Sequence, residues 1–331
     1  MNTPAQAFAP APAGGGAAFA IEARGLVKTY PKGVRALDGL TFGVHPGTVF
    51  ALLGPNGAGK STTVKILTTL AQADAGTASV AGLDVRARAW QVRHAIGVVA
   101  QRSGADPMAT GRENLLLSGR IQGLRGGRLV RRTDDLLSRF DLAGAAGRLV
   151  RTYSGGMRRR LDVAMGLINQ PEVLFLDEPT AGLDPESRSA MWEEIGRLAA
   201  ADGLTILLTT HYLEEADRLA DRLAIVDKGR VVTGGTPDEL KGQLHGDAVH
   251  VELADHPQRG TLLAALGAVP AIREVRMDGN HVSARADDGA AALPAVLAAL
   301  ESAGVPVSAA TVARPSLDDV YLRHAGRRFA D

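Results

Sequence analysis

Short uninterrupted apolar runs, not long helical stripes, set the pattern of the first two thirds of the chain. Thr48-Val49-Phe50-Ala51-Leu52-Leu53, Val173 to Leu176 and Thr205 to Leu208 are apolar on both faces, the pattern of strands buried inside a parallel sheet. Ile21 to Tyr30 predicts an edge strand, and Val34 to Val44 alternates well enough for another. Thr77 to Val80 and Ile96 to Val99 predict further short strands, and Leu223 to Val226 pairs with Arg230 to Thr233 about a Lys228-Gly229 turn. From Asp106 to about Gly166 the period becomes helical, with Asn114-Leu115-Leu116-Leu117 and Leu136-Leu137 on apolar faces. The expectation is an α/β core on a mixed sheet, with an inserted helical lobe over about 102–166.

After His245 the pattern changes. Ala248 to Leu253 predicts a strand and Thr261 to Leu266 a short helix. Ile272 to Met277 and His281 to Ala286 predict a hairpin over Asp278-Gly279-Asn280, followed by a helix at Gly289 to Ala303. A strand at Val307 to Val312 and a helix at Leu317 to His324 complete a β-α-β-β-α-β order, that of a small ferredoxin-like α+β domain. The chain is therefore divided into a leader at 1–18, a nucleotide-type domain at 19–244 and an accessory domain at 245–331. No internal repeat is visible.

Composition narrows this picture. A length of 331 residues suits two domains, and a net charge of +1 gives no reason to expect nucleic acid as a partner. With no cysteine, disulfides, thiolate metal sites and cysteine nucleophiles are excluded. No run reaches the ~20 apolar residues that span a bilayer. Residues 2–18, rich in Ala, Pro and Gly, lack the basic start and apolar core of a signal peptide and predict a disordered leader. A soluble chain is expected.

The first candidate chemistry follows the strand at 48–53. Gly54-Pro55-Asn56-Gly57-Ala58-Gly59-Lys60-Ser61-Thr62 fits the phosphate-loop template between a strand and a helix predicted from Thr62 to Leu70. Glycines let the backbone approach a phosphate, and the helix start offers free N–H groups and its positive dipole end. Lys60 is expected at the β- and γ-phosphates, and the Ser61 hydroxyl on magnesium. Asp177 ends an apolar strand, where a carboxylate is costly unless it holds a cation, and Glu178 beside it is placed to polarise water as a general base. The competing reading makes the two carboxylates caps of a helix starting after Pro179. Ser154-Gly155-Gly156, ahead of a helix from Met157 to Ile168, offers a second anion site.

In this order the motifs resemble the ATP-binding cassette ATPases over about residues 20–240. The resemblance implies that Ser154-Gly155-Gly156 is the signature segment, which meets the ATP held by a second copy of the chain, so that two chains sandwich two Mg-ATP head to tail. It implies that Tyr30 stacks on adenine and that Gln101 contacts magnesium and senses the transport partner. It further implies that Asp184, in Ala181-Gly182-Leu183-Asp184, communicates across the dimer and that His211 contacts the γ-phosphate. On this reading the catalytic residues are Lys60, Glu178 and His211. The nucleotide is held by Tyr30, residues 54–62, Gln101, Ser154, Gly155, Gly156, Asp177 and Asp184, and the metal by Ser61, Gln101 and Asp177.

Two positions depart from the family pattern: Tyr153 stands for the usual leucine and Met157 for the usual glutamine. Arg158, Arg159 and Arg160 read mainly as solvated positions, with anion attraction as the alternative. Thr110-Gly111-Arg112-Glu113-Asn114-Leu115, the phrase RTYSGGMRRRLDVA at 151–164 and Pro315-Ser316-Leu317-Asp318-Asp319-Val320-Tyr321-Leu322 resemble daunorubicin-type drug-resistance ATPases. That similarity implies an exporter subunit at the inner face of the cell membrane, bound to a separate membrane-spanning permease and exporting a drug-like or hydrophobic compound. Lipid or oligosaccharide export, or a regulatory ATPase outside transport, are the alternatives. The last helix is read as a regulatory or dimer-stabilising element.

Overall fold

The apolar runs become the middle of a six-stranded sheet. In the computed structural model, which describes residues 19–244, 246–254 and 259–325, the chain begins with β1 (Ile21–Tyr30), β2 (Val34–Val44), β3 (Val49–Leu53), α1 (Lys60–Leu67), β4 (Ala75–Val80), β5 (Leu83–Asp84) and α2 (Ala89–Ala95). Then come β6 (Ile96–Val99), the helical lobe α3 (Gly111–Ile121), α4 (Gly126–Arg139) and α5 (Gly155–Gly166), β7 (Val173–Asp177) and α6 (Pro185–Asp202). β8 (Thr205–Thr210), α7 (Leu213–Leu219), β9 (Arg222–Asp227) and β10 (Arg230–Gly235) close this part. The expected leader lies outside the described residues.

The large sheet has the order β10-β9-β3-β8-β7-β6 and is parallel except for its β9–β10 hairpin. Every residue of β3 and β8 is buried, which is why neither shows alternation. A second, antiparallel sheet has the order β2-β1-β4-β5. It shares one core with α1 and the large sheet through Leu26, Leu40, Val64 and Leu67, and Phe42 stacks on Phe50 with ring centroids 5.4 Å apart.

Three expectations change here. β1 is not an edge strand, because it pairs with β2 on one side and β4 on the other. The sequence shows β4 as a strand at Thr77 to Val80 but not that it lies beside β1. The helix after the phosphate loop begins at Lys60 and ends at Leu67, and Thr69 turns out of it at φ 65°. No helix starts directly after Pro179, since α6 begins at Pro185 with Asp184 as its cap, so Asp177 and Glu178 cap nothing.

By packing, the chain divides at Thr236/Pro237, ahead of the expected boundary. The short helix α8 (Pro237–Gly242) packs on the last helix, which accounts for the earlier division. The second unit continues with β11 (Asp247–Leu253), α9 (Arg259–Gly267), β12 (Ile272–Asp278), β13 (His281–Ala286), α10 (Gly289–Ser302), β14 (Val307–Ala313) and α11 (Leu317–Ala325). Its antiparallel sheet, ordered β12-β13-β11-β14, has the ferredoxin-like connectivity expected from the sequence. Leu262, Leu266, Val296 and Leu300 of α9 and α10 fill its core.

Candidate nucleotide site

β3, β8, β7 and β6 run in one direction, so their C-terminal ends share one edge of the sheet. That edge is where open α/β sheets place ligands. It brings together the phosphate loop after β3, His211 after β8, Asp177-Glu178 at the end of β7 and Gln101 just beyond β6.

The loop is shaped by glycines at specific points. Gly59 has φ 109°, and a Cβ there would lie 2.6 Å from the Ala36 carbonyl and 2.7 Å from Leu37, so conformation and space both demand glycine. The Gly229 N–H donates to the Ala58 carbonyl at 2.9 Å, so the β9–β10 turn braces the loop from behind. Asn56 and Gly57 are exposed at the tip, Pro55, Ser61 and Thr62 are half-buried, and Gly54 and Ala58 are buried. Tyr30, half-buried, closes the β1–β2 hairpin opposite Val34, two residues from the Ala36 that adjoins Gly59.

Lys60 is only 5% exposed and donates to the Gly54 carbonyl at 2.6 Å and the Pro55 carbonyl at 3.2 Å. Burial holds its ammonium below the usual lysine range, while the Glu178 and Asp177 carboxylates oppose that shift. Asp177 Oδ1 accepts from Thr209 Oγ1 at 2.5 Å and from Ser61 Oγ at 3.2 Å.

Glu178 is the hub. Gln101 Nε2 donates to its Oε2 at 2.8 Å, while His211 Nδ1 lies 3.3 Å and Lys60 Nζ 3.9 Å from its Oε1. Its backbone sits in the left-handed region at φ 49°, strained for a residue with a side chain. The surroundings hold it there: the Glu178 N–H meets the Thr209 carbonyl and hydroxyl, each at 3.1 Å, and Arg159 Nη2 donates to the Glu178 carbonyl at 3.1 Å.

Ser154 caps α5 by accepting from the Met157 N–H at 3.2 Å. Ser154 and Gly155 are exposed, and neither hydrogen-bonds the chain's own phosphate loop among the described residues. Gly156 is buried, since a Cβ there would come within 2.6 Å of Ser187 Oγ. That serine is tied to Asp184, whose carboxylate accepts its N–H at 2.9 Å and its hydroxyl at 2.7 Å. The Ser187 N–H, then the hydroxyl, hold the Asp184 carboxyl below the usual range. The structure therefore gathers Lys60, Ser61, Gln101, Asp177, Glu178 and His211 at one place, and sets Ser154–Gly156 and Asp184 side by side at another.

Arg159 corrects the expectation of a solvated arginine. It is 7% exposed, and its guanidinium donates to the carbonyls of Pro179 (2.7 Å), Ala100 (2.6 Å), Asp177 (3.1 Å) and Glu178 (3.1 Å). Arg158 is exposed, as expected. Thr209, Asp162 and Glu215 also escaped the sequence reading. Buried Glu215 accepts from Thr180 Oγ1 at 2.7 Å and Trp192 Nε1 at 3.0 Å, bracing the segment after Glu178.

Residues 37–181 match the family model described as "ABC transporter", and residues 235–325 match "ATP-binding protein DrrA1-3-like, C-terminal domain". The daunorubicin resistance ATP-binding protein DrrA3 of Streptomyces coeruleorubidus is 47% identical over 93% of this chain and 96% of its own length. The chain belongs to the ABC transporter ATP-binding proteins. It is an ATPase subunit whose hydrolysis is coupled to transport.

The daunorubicin/doxorubicin resistance ATP-binding protein DrrA of Streptomyces peucetius is 46% identical over 94% of both chains. The Nod factor export ATP-binding protein I of Ralstonia nicotianae is 40% identical over 94% of this chain and 95% of its own. Among solved structures, an ATP-binding subunit of an ABC transporter superposes with a TM-score of 0.61 at 31% identity, covering 67% of this chain and 92% of that one. The cbiO1 protein of Clostridium perfringens, part of the complex cbiONQ, gives 0.63 at 26% identity over 68% and 91%.

Proposed function

We propose that this ABC ATPase binds Mg-ATP between two copies of itself and powers export of a drug-like or hydrophobic compound through a separate membrane-spanning permease. The observation that carries the proposal is the convergence of Lys60, Gln101 and His211 on the Glu178 carboxylate, with Ser154 and Gly155 exposed away from that cluster. The second anion site then serves the other copy's nucleotide.

In this reading Lys60 exchanges the Gly54 and Pro55 carbonyls for the β- and γ-phosphates, with the N–H groups of the first turn of α1 around them. Tyr30 stacks on adenine, and Ser61, Asp177 and Gln101 hold the metal. The fit is chemical: these are hard oxygen donors, and the Asp177 oxygen already receives the Ser61 hydroxyl. Among the described residues no group of three or more His, Cys, Asp or Glu could hold a metal alone, so nucleotide oxygens would complete the shell. Magnesium, when bound, neutralises charge on the β- and γ-phosphate oxygens. Glu178 accepts the proton of the attacking water, and His211 orients the γ-phosphate. Asp184 lies against the partner copy.

No described helix is long and apolar enough to cross a membrane, so the path for cargo belongs to another chain. A groove of about 340 Å³ beside Gly104, bordered by Leu70, Val98, Ser118 and Gln122, supports a docking place for it. The chain would then sit at the cytoplasmic face of the membrane. The drug-like cargo rests on the DrrA relatives, which exceed the Nod factor export relatives in identity, 47% against 40%.

The test is Glu178→Gln, tagged and captured with Mg-ATP from native membranes. The expected result is an ATP-stabilised dimer without turnover, carrying one polytopic protein in equal amount. Wild-type turnover in this variant would overturn the base assignment, and capture without any membrane protein would overturn the export reading.

A further inference from the structure

We propose that Asp162 is a positioning residue for ATP hydrolysis, holding Gln101 on Glu178 from the helix that starts with Ser154-Gly155-Gly156. The inference rests on the proposed roles of Gln101 and Glu178 and adds a residue that no motif names.

Asp162 lies one helical turn beyond Arg159 on α5 and is 7% exposed. Its Oδ1 accepts the Ser103 hydroxyl at 2.9 Å and the Gly104 N–H at 3.1 Å. Arg159 Nη1, from the same helix, donates to the Ala100 carbonyl at 2.6 Å. Residues on both sides of Gln101 are thus fastened to α5, while the Gln101 side chain, itself in an exposed segment, reaches Glu178 at 2.8 Å. A buried carboxylate is costly unless its acceptors are used. Here they are spent on two donors of an irregular segment that has no strand or helix of its own. Asp162 also borders the groove that carries Val98, Ser118 and Gly104. A shift of α5 would therefore be passed to the residues on either side of Gln101.

The test is steady-state ATPase of the full chain. Asp162→Ala is expected to lower kcat about fivefold with at most about a twofold change in KM for ATP, because Lys60 and the phosphate loop still hold the phosphates. Asp162→Asn keeps an Oδ1 acceptor for both donors and is expected to restore kcat. Asp162→Ala combined with Gln101→Ala is expected to be no slower than Gln101→Ala alone, since both remove one function. Should Asp162→Ala fail to fold, Ser103→Ala, in the exposed segment, is expected to lower kcat in the same direction. Wild-type kcat in folded Asp162→Ala or Ser103→Ala, or additive losses in the double variant, would overturn the proposal. Glu178→Gln assayed alongside separates the two readings: normal turnover there sinks the base assignment, whereas an inactive Glu178→Gln beside a normal Asp162→Ala sinks only the positioning role.

Discussion

The Tyr153 ring lies across Gly111, where α3 begins. A Cβ on Gly111 would collide with Tyr153 Oη and stand 3.2 Å from Cζ, while the hydroxyl donates to the Ala145 carbonyl at 2.8 Å. The tyrosine that replaces the usual leucine before Ser154 is thus a buried packing residue, matched to a glycine far off in sequence. Gly111→Ala is expected to destabilise the chain by about 1–3 kcal/mol through overpacking. Adding Tyr153→Leu should recover part of that loss. Thermal unfolding of the two variants measures both.

Arg159 donates to four carbonyls, those of Ala100, Asp177, Glu178 and Pro179, at and beyond the ends of two strands. Arg159→Met keeps much of the side-chain volume but takes the guanidinium away from the buried Pro179 and Glu178 carbonyls and from those of Asp177 and Ala100. A loss of about 2–4 kcal/mol is expected, the cost of unsatisfied buried acceptors beside a strained residue. Urea unfolding checks the magnitude. Arg158→Met, at an exposed position, should change stability by less than about 0.5 kcal/mol.

The pH dependence of stability should expose Asp162. Burial raises its carboxyl above the usual range, with the Ser103 hydroxyl pulling it back. A raised folded value means the site favours folding most below the ordinary aspartate value and loses that contribution as pH rises through the folded value. Asp162→Asn never ionises. Its unfolding temperature should therefore match wild type in acid and exceed it increasingly above the ordinary aspartate value, levelling off past the raised one. A constant offset across pH would contradict the assignment.

Lys60→Ala is expected to fold, because the ammonium's hydrogen-bond partners are the loop's own carbonyls at Gly54 and Pro55 and, among the described residues, it ties no other element to the loop by hydrogen bond. Its ATP affinity should fall at least about tenfold, the loss of a charge-assisted phosphate contact. Calorimetric titration with ATP measures it, and an unchanged affinity would remove Lys60 from the site.

The strands of the large sheet were legible because full burial on both faces leaves an apolar run that needs no knowledge of neighbours, as in Phe50 to Leu53 and Val173 to Leu176. The phosphate loop and the carboxylates were legible because their chemistry is concentrated in contiguous residues. The order of the second unit was legible because each of its elements is short and bounded by turn residues such as Asp278-Gly279-Asn280.

What only the tertiary structure decided is how distant segments meet. Nothing local distinguishes buried Arg159 from exposed Arg158, since both are arginines on one helix and only the strand ends packed against α5 differ. Asp162 with Ser103, Gly111 with Tyr153, and Gly156 with Ser187 are likewise pairings between elements. Sequence by itself determines which groups can do chemistry. Burial, strain and the partners that hold those groups in place depend on distances through space, which exist only after the chain has packed.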